Sequence, residues 1–276
     1  MTPGPGAAEH PLNGDAHHTA PSAVPASPLV TVPAVTVSLD KAPCPPPERS
    51  EETSWLRRLR LVAVRLAIGL VAFLVVGNLA LYLLTVWARH ELDEGPPVEV
   101  SGVDNLRAVD DHLWRGAHPS PEGFAELAAL GVTTVVDLRA EPGAHVDEAL
   151  MADLGLTVYR IPIRDGQTPT SSEVERFLTI AHDTPGRVFV HCGAGVGRTG
   201  TVSAAYLVAT GQAGRAEALA RNLAVGPPSL EQVMYAIDLE AGEWEQPNAV
   251  VRGVSRVLDA PRRGMSVMAD LDLDLL

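Results

Sequence analysis

The residues best suited to chemistry lie between Val188 and Thr201, in the order Val188-Phe189-Val190-His191-Cys192-Gly193-Ala194-Gly195-Val196-Gly197-Arg198-Thr199-Gly200-Thr201. An apolar run of β-formers ends in a His-Cys pair. A glycine-rich loop follows, and Arg198 and Thr199 open a helical segment. A strand, tight loop and helix start in this order suit a phosphate oxyanion. Backbone N–H groups of a glycine-rich loop can converge on one anion, because glycine tolerates the φ angles required. The helix start adds unpaired N–H groups and the positive end of its dipole. Arg198 offers a planar fork that matches two phosphate oxygens. The same field favours the thiolate form of Cys192. A thiolate beneath a bound phosphate is set for in-line attack on phosphorus.

The spacing of His191-Cys192, five residues, then Arg198-Thr199 resembles the signature of the cysteine-dependent tyrosine and dual-specificity phosphatases. The resemblance implies a phosphocysteine intermediate on Cys192, with the loop Gly193, Ala194, Gly195, Val196 and Gly197 around the phosphate. It implies that Arg198 binds phosphate and steadies the transition state, that Thr199 helps the thiolate leave, and that His191 orients the loop. It also implies a proton donor for the departing oxygen, an Asp on a loop upstream of the nucleophile strand. The best match is Asp165 in Ile161-Pro162-Ile163-Arg164-Asp165-Gly166, 27 residues before Cys192.

Two further stretches are similar to a bacterial and plant subgroup of these phosphatases. Leu113-Trp114-Arg115-Gly116-Ala117-His118-Pro119-Ser120 follows its aromatic-Arg-Ser-Ala-Gln-Pro opening, with Gly116 and His118 departing from the pattern. Val135-Val136-Asp137-Leu138-Arg139 follows its strand-plus-Leu-Arg segment. Arg115, Asp137 and Arg139 are expected to brace the loop through hydrogen bonds and ion pairs. The likeness spans roughly residues 105–225. Sulfurtransferases and arsenate reductases also use a cysteine in an anion-binding loop, and an inactive phosphate-binding module is a third reading. Arg198-Thr199-Gly200 and the Asp165 candidate favour the phosphatase.

The elements that must hold these groups alternate. Short strands are expected at 106–109 and 113–115, and longer ones at 132–138, 157–163 and 187–190. Helices are expected at 121–130, 144–154, 171–181, 199–210, 214–225 and 229–240. Ser120 before Pro121 reads as a helix cap, and Thr170-Ser171-Ser172-Glu173 as a capping box. Strands alternating with helices predict an α/β, three-layer phosphatase-like domain with a central, largely parallel sheet over 106–250. Ligands of such sheets sit at the carboxyl ends of the strands. Residues 251–276 read as a flexible tail and 95–105 as a linker containing Gly95-Pro96-Pro97.

Residues 1–54 hold eleven prolines and almost no aromatics, and such a stretch cannot bury enough apolar area to offset chain entropy. Leu66–Trp87 is a run of 22 residues without a charge. As a helix it spans roughly 33 Å, about the hydrocarbon thickness of a bilayer. One transmembrane helix is therefore expected, with the lipid bilayer a partner through residues 66–87. Arg57, Arg58, Arg60 and Arg65 precede it, whereas Arg89 stands among Glu91, Asp93 and Glu94. By the positive-inside rule residues 1–54 are cytoplasmic and the domain lies on the other side. A formal charge of −13 over 276 residues argues against nucleic acid as a partner. No Cys, His and carboxylate cluster has metal-ligand spacing, so no metal or cofactor is expected. Cys44 and Cys192, the two cysteines, make no disulfide framework. One lysine against twenty arginines suggests a GC-rich bacterial genome. The partner implied is a phosphorylated protein or a small phosphoester.

Overall fold

The computed structural model describes residues 51–92 and 99–273. The proline-rich stretch 1–50, with Cys44, and the first part of the expected linker lie outside the described residues. The described residues start with α1 (Glu51–Glu91) and then build one α/β unit. Its elements are β1 (Arg107–Ala108), β2 (Leu113–Gly116), α2 (Pro121–Ala129), β3 (Val132–Arg139), α3 (Glu148–Asp153) and β4 (Thr157–Ile163). They continue as α4 (Ser171–Asp183), β5 (Arg187–His191), α5 (Gly197–Ala209), α6 (Arg215–Val225), α7 (Leu230–Ile237) and α8 (Ala249–Leu273).

The five strands form one sheet in the order β1-β2-β5-β3-β4, with only β1 antiparallel to its neighbour. A parallel strand with helices on both sides is buried on both faces and reads as a continuous apolar run. β5 illustrates this: Val188, Phe189 and Val190 are all fully buried. Alternation then sorts them between two cores. Val188 and Val190 meet Phe177, Ile180 and Val202 from α4 and α5, with Val136, Leu138 and Ile161 from the sheet. Phe189 faces the other way, onto Phe124, Leu127, Met151 and Trp114 under α2 and α3. α6 and α7 extend the first side through a third cluster around Tyr235, Ala205 and Leu207.

Local signals set the helix starts. The Ser120 hydroxyl accepts from the Gly123 N–H, and Thr170 with Glu173 closes a full capping box. The C-terminal stretch differs from the expected flexible tail: from Ala249 it is helical, with Pro261 inside the helix. Its repeat explains the difference. Ser255, Leu258 and Asp259 fall on one face and are buried, so the helix has an inner side to pack, which the short polar-looking sequence conceals.

α1 is the one described helix long and apolar enough to cross a membrane, by length and composition. It is not apolar-exposed throughout. Leu81, Thr85 and Ala88 form a buried stripe, and Ala88 meets Leu223 and Ala224 of α6. Arg89 donates from Nε to the Ala224 carbonyl at 2.7 Å and from Nη2 to the Val225 carbonyl at 2.8 Å. These are end carbonyls of α6, which otherwise lack helical partners. Further up, Asn78 Nδ2 donates to the Leu258 carbonyl of α8 at 3.2 Å. One face of residues 77–92 therefore rests on the α/β unit, while Leu79, Leu83, Val86 and Trp87 stay exposed.

Phe177 fills the centre of the larger core and is fully buried. Phe177→Ala is expected to lower unfolding free energy by about 3–5 kcal/mol, read from denaturant unfolding of the detergent-solubilised chain. A loss near zero would show that α4 does not seal this core.

Candidate functional site

At the carboxyl end of the sheet β2 and β5 stop side by side, and β3 runs on to Arg139. Gly116 of β2 and Asp137 of β3 both pair with His191 of β5. Cys192 follows at once, buried, and the loop to α5 returns around it.

The carbonyls of residues 193–196 are held from outside the loop. Gly193 O accepts from the His118 N–H at 3.0 Å, and Ala194 O from Asn105 Nδ2 at 3.0 Å. Arg115 Nη2 donates to Gly195 O at 2.8 Å and to Val196 O at 3.1 Å. A peptide's N–H and C=O point in opposite directions. Four consecutive carbonyls turned outward therefore turn the amide hydrogens toward the loop's interior, the arrangement that binds anions. The Gly195 N–H already points at Cys192 Sγ, 3.3 Å away. Gly195 has φ +71°, and a Cβ there would lie 2.2 Å from the Gly116 carbonyl carbon. Two backbones meet at this point, which accounts for glycine at 195; at Gly116, the departure from the subgroup pattern, a Cβ would instead press on the Phe189 ring and Val103 at 3.1 Å. The His118 departure has no cost to the loop, because His118 contributes its backbone.

Arg198, in the first turn of α5, is 3 % exposed. Its Nη1 and Nη2 take both oxygens of Glu141 at 3.0 and 2.6 Å, and Nη1 also donates to the Ile163 carbonyl at 3.1 Å. Asp165 Oδ1 stands 3.3 Å from Nη2. Burial disfavours the guanidinium charge, but the bond to Glu141 and the charges of Cys192 and Asp165 outweigh it and raise the pKa. For Glu141 burial would raise the pKa, and the Arg198 hydrogen bond and charge hold it below the usual range.

Under the loop, Asp137 is fully buried and receives the Arg139 N–H, Nε and Nη2 at 2.9, 3.0 and 2.9 Å. Burial alone would raise its pKa; the Arg139 bonds and the neighbouring His191 lower it. His191 lies 4.0 Å from Asp137 through Nε2 and stacks on Phe189, with centroids 5.8 Å apart. Burial pushes its pKa down to about 4, more than the Asp137 charge restores. The Thr199 hydroxyl is buried without a hydrogen-bond partner among the described residues.

Cys192, Arg198, Asp165, Thr199 and the five loop residues thus stand together, with Arg115 bonded directly to the loop. Asp137 and Arg139 pair with each other, with Arg160 3.9 Å from Asp137, and neighbour the loop through His191. Sequence reasoning missed Glu141, Asn105 and Asn222. Glu141 carried a signal, an acid before Pro142-Gly143 at a strand's carboxyl end. Asn105, at φ +53°, carried the weaker one of a residue tolerant of left-handed backbone. Asn222 Oδ1 accepts from Arg115 at 3.2 Å and had no local signal.

Residues 97–243 match the family model described as DSP-PTPase phosphatase fused to NAD+ kinase. Human dual specificity protein phosphatase CDC14C is 35% identical over 135 residues, covering 46% of this chain and 30% of its own length. The chloroplastic NAD kinase 2 of Arabidopsis thaliana is 38% identical over 95 residues, 32% of this chain and 9% of that protein. The chain thus spans less than a third of these curated relatives. The solved structure of P. aeruginosa TpbA aligns with TM-score 0.44 and 21% identity, over 59% of this chain and 94% of that one.

The lowered His191 value has a consequence for stability. Between its ordinary 6.5 and about 4 the unfolded chain holds a proton that the fold refuses. Stability therefore falls as pH drops through that window, on the order of 1–3 kcal/mol by pH 4. Asp137 adds its loss only below its ordinary 3.8. Denaturant midpoints measured from pH 7 to 4 should fall for the native chain and flatten in His191→Gln. His118→Asn is the control, since burial lowers His118 as well.

Proposed function

Since this chain belongs to the family described as DSP-PTPase phosphatase fused to NAD+ kinase, we propose that it is a membrane-anchored, cysteine-dependent phosphomonoesterase. The observation that carries the reading is the convergence at one strand end: a sulfur receiving a loop N–H, a buried guanidinium, and Asp165 3.3 Å from that guanidinium.

In the first step the Cys192 thiolate attacks phosphorus. The S–P bond forms as the P–O bond to the leaving alcohol breaks. Loop N–H groups and Arg198 hold the three equatorial oxygens, where transition-state charge is spread. Protonated Asp165 gives its proton to the departing oxygen, which leaves as an alcohol. In the second step water attacks phosphorus, Asp165 takes its proton, and the S–P bond breaks to release inorganic phosphate and the thiolate. The Thr199 hydroxyl, at the start of α5, donates to the returning sulfur. The substrates are phosphotyrosine and phosphoserine or phosphothreonine in proteins, or small phosphoesters. None of Gly193, Ala194, Gly195, Val196 and Gly197 is basic, which argues against a polyanionic inositol headgroup.

The chain divides into a proline-rich segment 1–54, an anchor 55–94, a linker 95–105, the catalytic domain 106–250 and a terminal segment. The arginines before the span favour a cytoplasmic N-terminus and a catalytic domain on the other side. Composition favours a bacterial source. Among the described residues, 66–73 of α1 are exposed on every side, and lipid surrounds them; residues 77–87 meet lipid on their outer faces.

With p-nitrophenyl phosphate, Cys192→Ser is expected to abolish turnover while retaining vanadate binding. Asp165→Asn should reduce kcat for aryl phosphates by about 10²–10⁴-fold. Steady-state kinetics on the solubilised chain decide both, and turnover surviving in Cys192→Ser would end the proposal.

A further inference from the structure

The loop that carries Asp165 connects β4 to α4. It turns tightly, with the Gln167 N–H bonded to the Arg164 carbonyl at 3.1 Å and Gly166 at φ +73°. Such a turn, left alone, samples many positions. Here the three carbonyls after Asp165 are each taken by a side chain from elsewhere in the fold. Ser229 Oγ donates to Gly166 O at 2.8 Å, Gln232 Nε2 to Gln167 O at 3.1 Å, and Gln246 Nε2 to Thr168 O at 2.7 Å. The remaining groups of Thr168 are also occupied: its N–H and hydroxyl both donate to Glu231 Oε1 at 3.1 Å.

One of these restraints lies beyond residue 243, past the family match, and a second is backed from there. One is Gln246, whose Oε1 accepts from Arg252 Nη1 of α8 at 3.4 Å. The other runs through Glu231. The Glu231 N–H donates to Ser255 Oγ at 3.0 Å, and Ser255 donates on to Asp259 Oδ2 at 3.0 Å. Asp259 is held by Arg262 Nη2 at 2.7 Å. Ser255, Glu231 and Thr168 are all at most 2 % exposed, so water does not replace these bonds. Leu258, between Ser255 and Asp259, seats α8 against Gly77 of α1.

We propose that Gln246 and Ser255 are positioning residues for the Asp165 proton donor, so that the segment 246–259 sets the acid loop over the phosphate site. The proposal rests on Asp165 being that donor. Proton transfer demands hydrogen-bond distance at the moment the ester bond breaks, and a displacement of about 1 Å costs on the order of 100-fold. A loop tied at Gly166, Gln167 and Thr168 cannot drift that far, and loss of one tie loosens it in part.

The test compares two substrates on the full chain in detergent. Phenyl phosphate has a poor leaving group that needs the proton, and 2,4-dinitrophenyl phosphate has one that leaves without it. Gln246→Ala and Ser255→Ala should each lower kcat for phenyl phosphate by about ten-fold, with KM and the dinitrophenyl rate within about two-fold of the native chain. Gln246→Glu, of the same shape but without the donor, should behave like Gln246→Ala. Adding either change to Asp165→Asn should cost nothing more on phenyl phosphate. Equal losses on both substrates, or losses that multiply with Asp165→Asn, overturn the positioning role and leave the phosphatase reading intact. If Asp165→Asn itself lowers both substrates equally, the assignment of Asp165 fails first, and this proposal fails with it.

Discussion

The structure depends on one constraint: the carbonyls of residues 193–196 must face away from Cys192. Each is met by a donor, from the His118 backbone, the Asn105 side chain and Arg115. Arg115 is the demanding one, a guanidinium 4 % exposed. Its charge is tolerable there because it meets three oxygens, two from the loop and one from Asn222. The parallel pairing of β2 with β5 brings it there, since Arg115 lies opposite Val190 and Gly116 opposite His191. The outward turn of the loop carbonyls is thus a consequence of strand register. A slip by one residue would turn Arg115 to the other face of the sheet.

The second guanidinium works under the opposite load. Arg198 rests between carboxylates, with Glu141 bidentate and Asp165 beside it. This fixes its orientation before any ligand arrives, so little side-chain entropy remains to be lost on binding. It also places negative charge where an anion must come. Under the proposed function, a phosphoester entering the loop exchanges one set of charge-assisted bonds for another. The same contact brings Asp165 to the rim of the loop.

The helix α1 lies against this machinery. Arg89 closes the carboxyl end of α6, the helix that carries Asn222, and Asn78 bonds α8 behind the Asp165 loop. A segment whose composition reads only as an apolar span thus has a structural inner face. The spacing of Leu81, Thr85, Ala88 and Arg89 follows one side of a helix, and small residues on that side allow the approach.

What the sequence determined by itself was local. The His-Cys and Arg-Thr pairs are close in the chain, so their spacing alone brings sulfur, amides and guanidinium to one place. Strand and helix periods, with the caps at Ser120 and Thr170, were equally readable, because each is set by neighbours within a few residues. Apart from Arg115, the tertiary structure alone decided which residues hold that loop, Arg198 and the Asp165 loop. Asn105, Glu141, Asn222, Gln246 and Ser255 lie tens of residues from the groups they touch, and single polar residues carry no periodic signal. The helical stretch from Ala249 belongs with them: its inner face has meaning only against α7 and α1, since burial, and not propensity, makes an amphipathic segment fold.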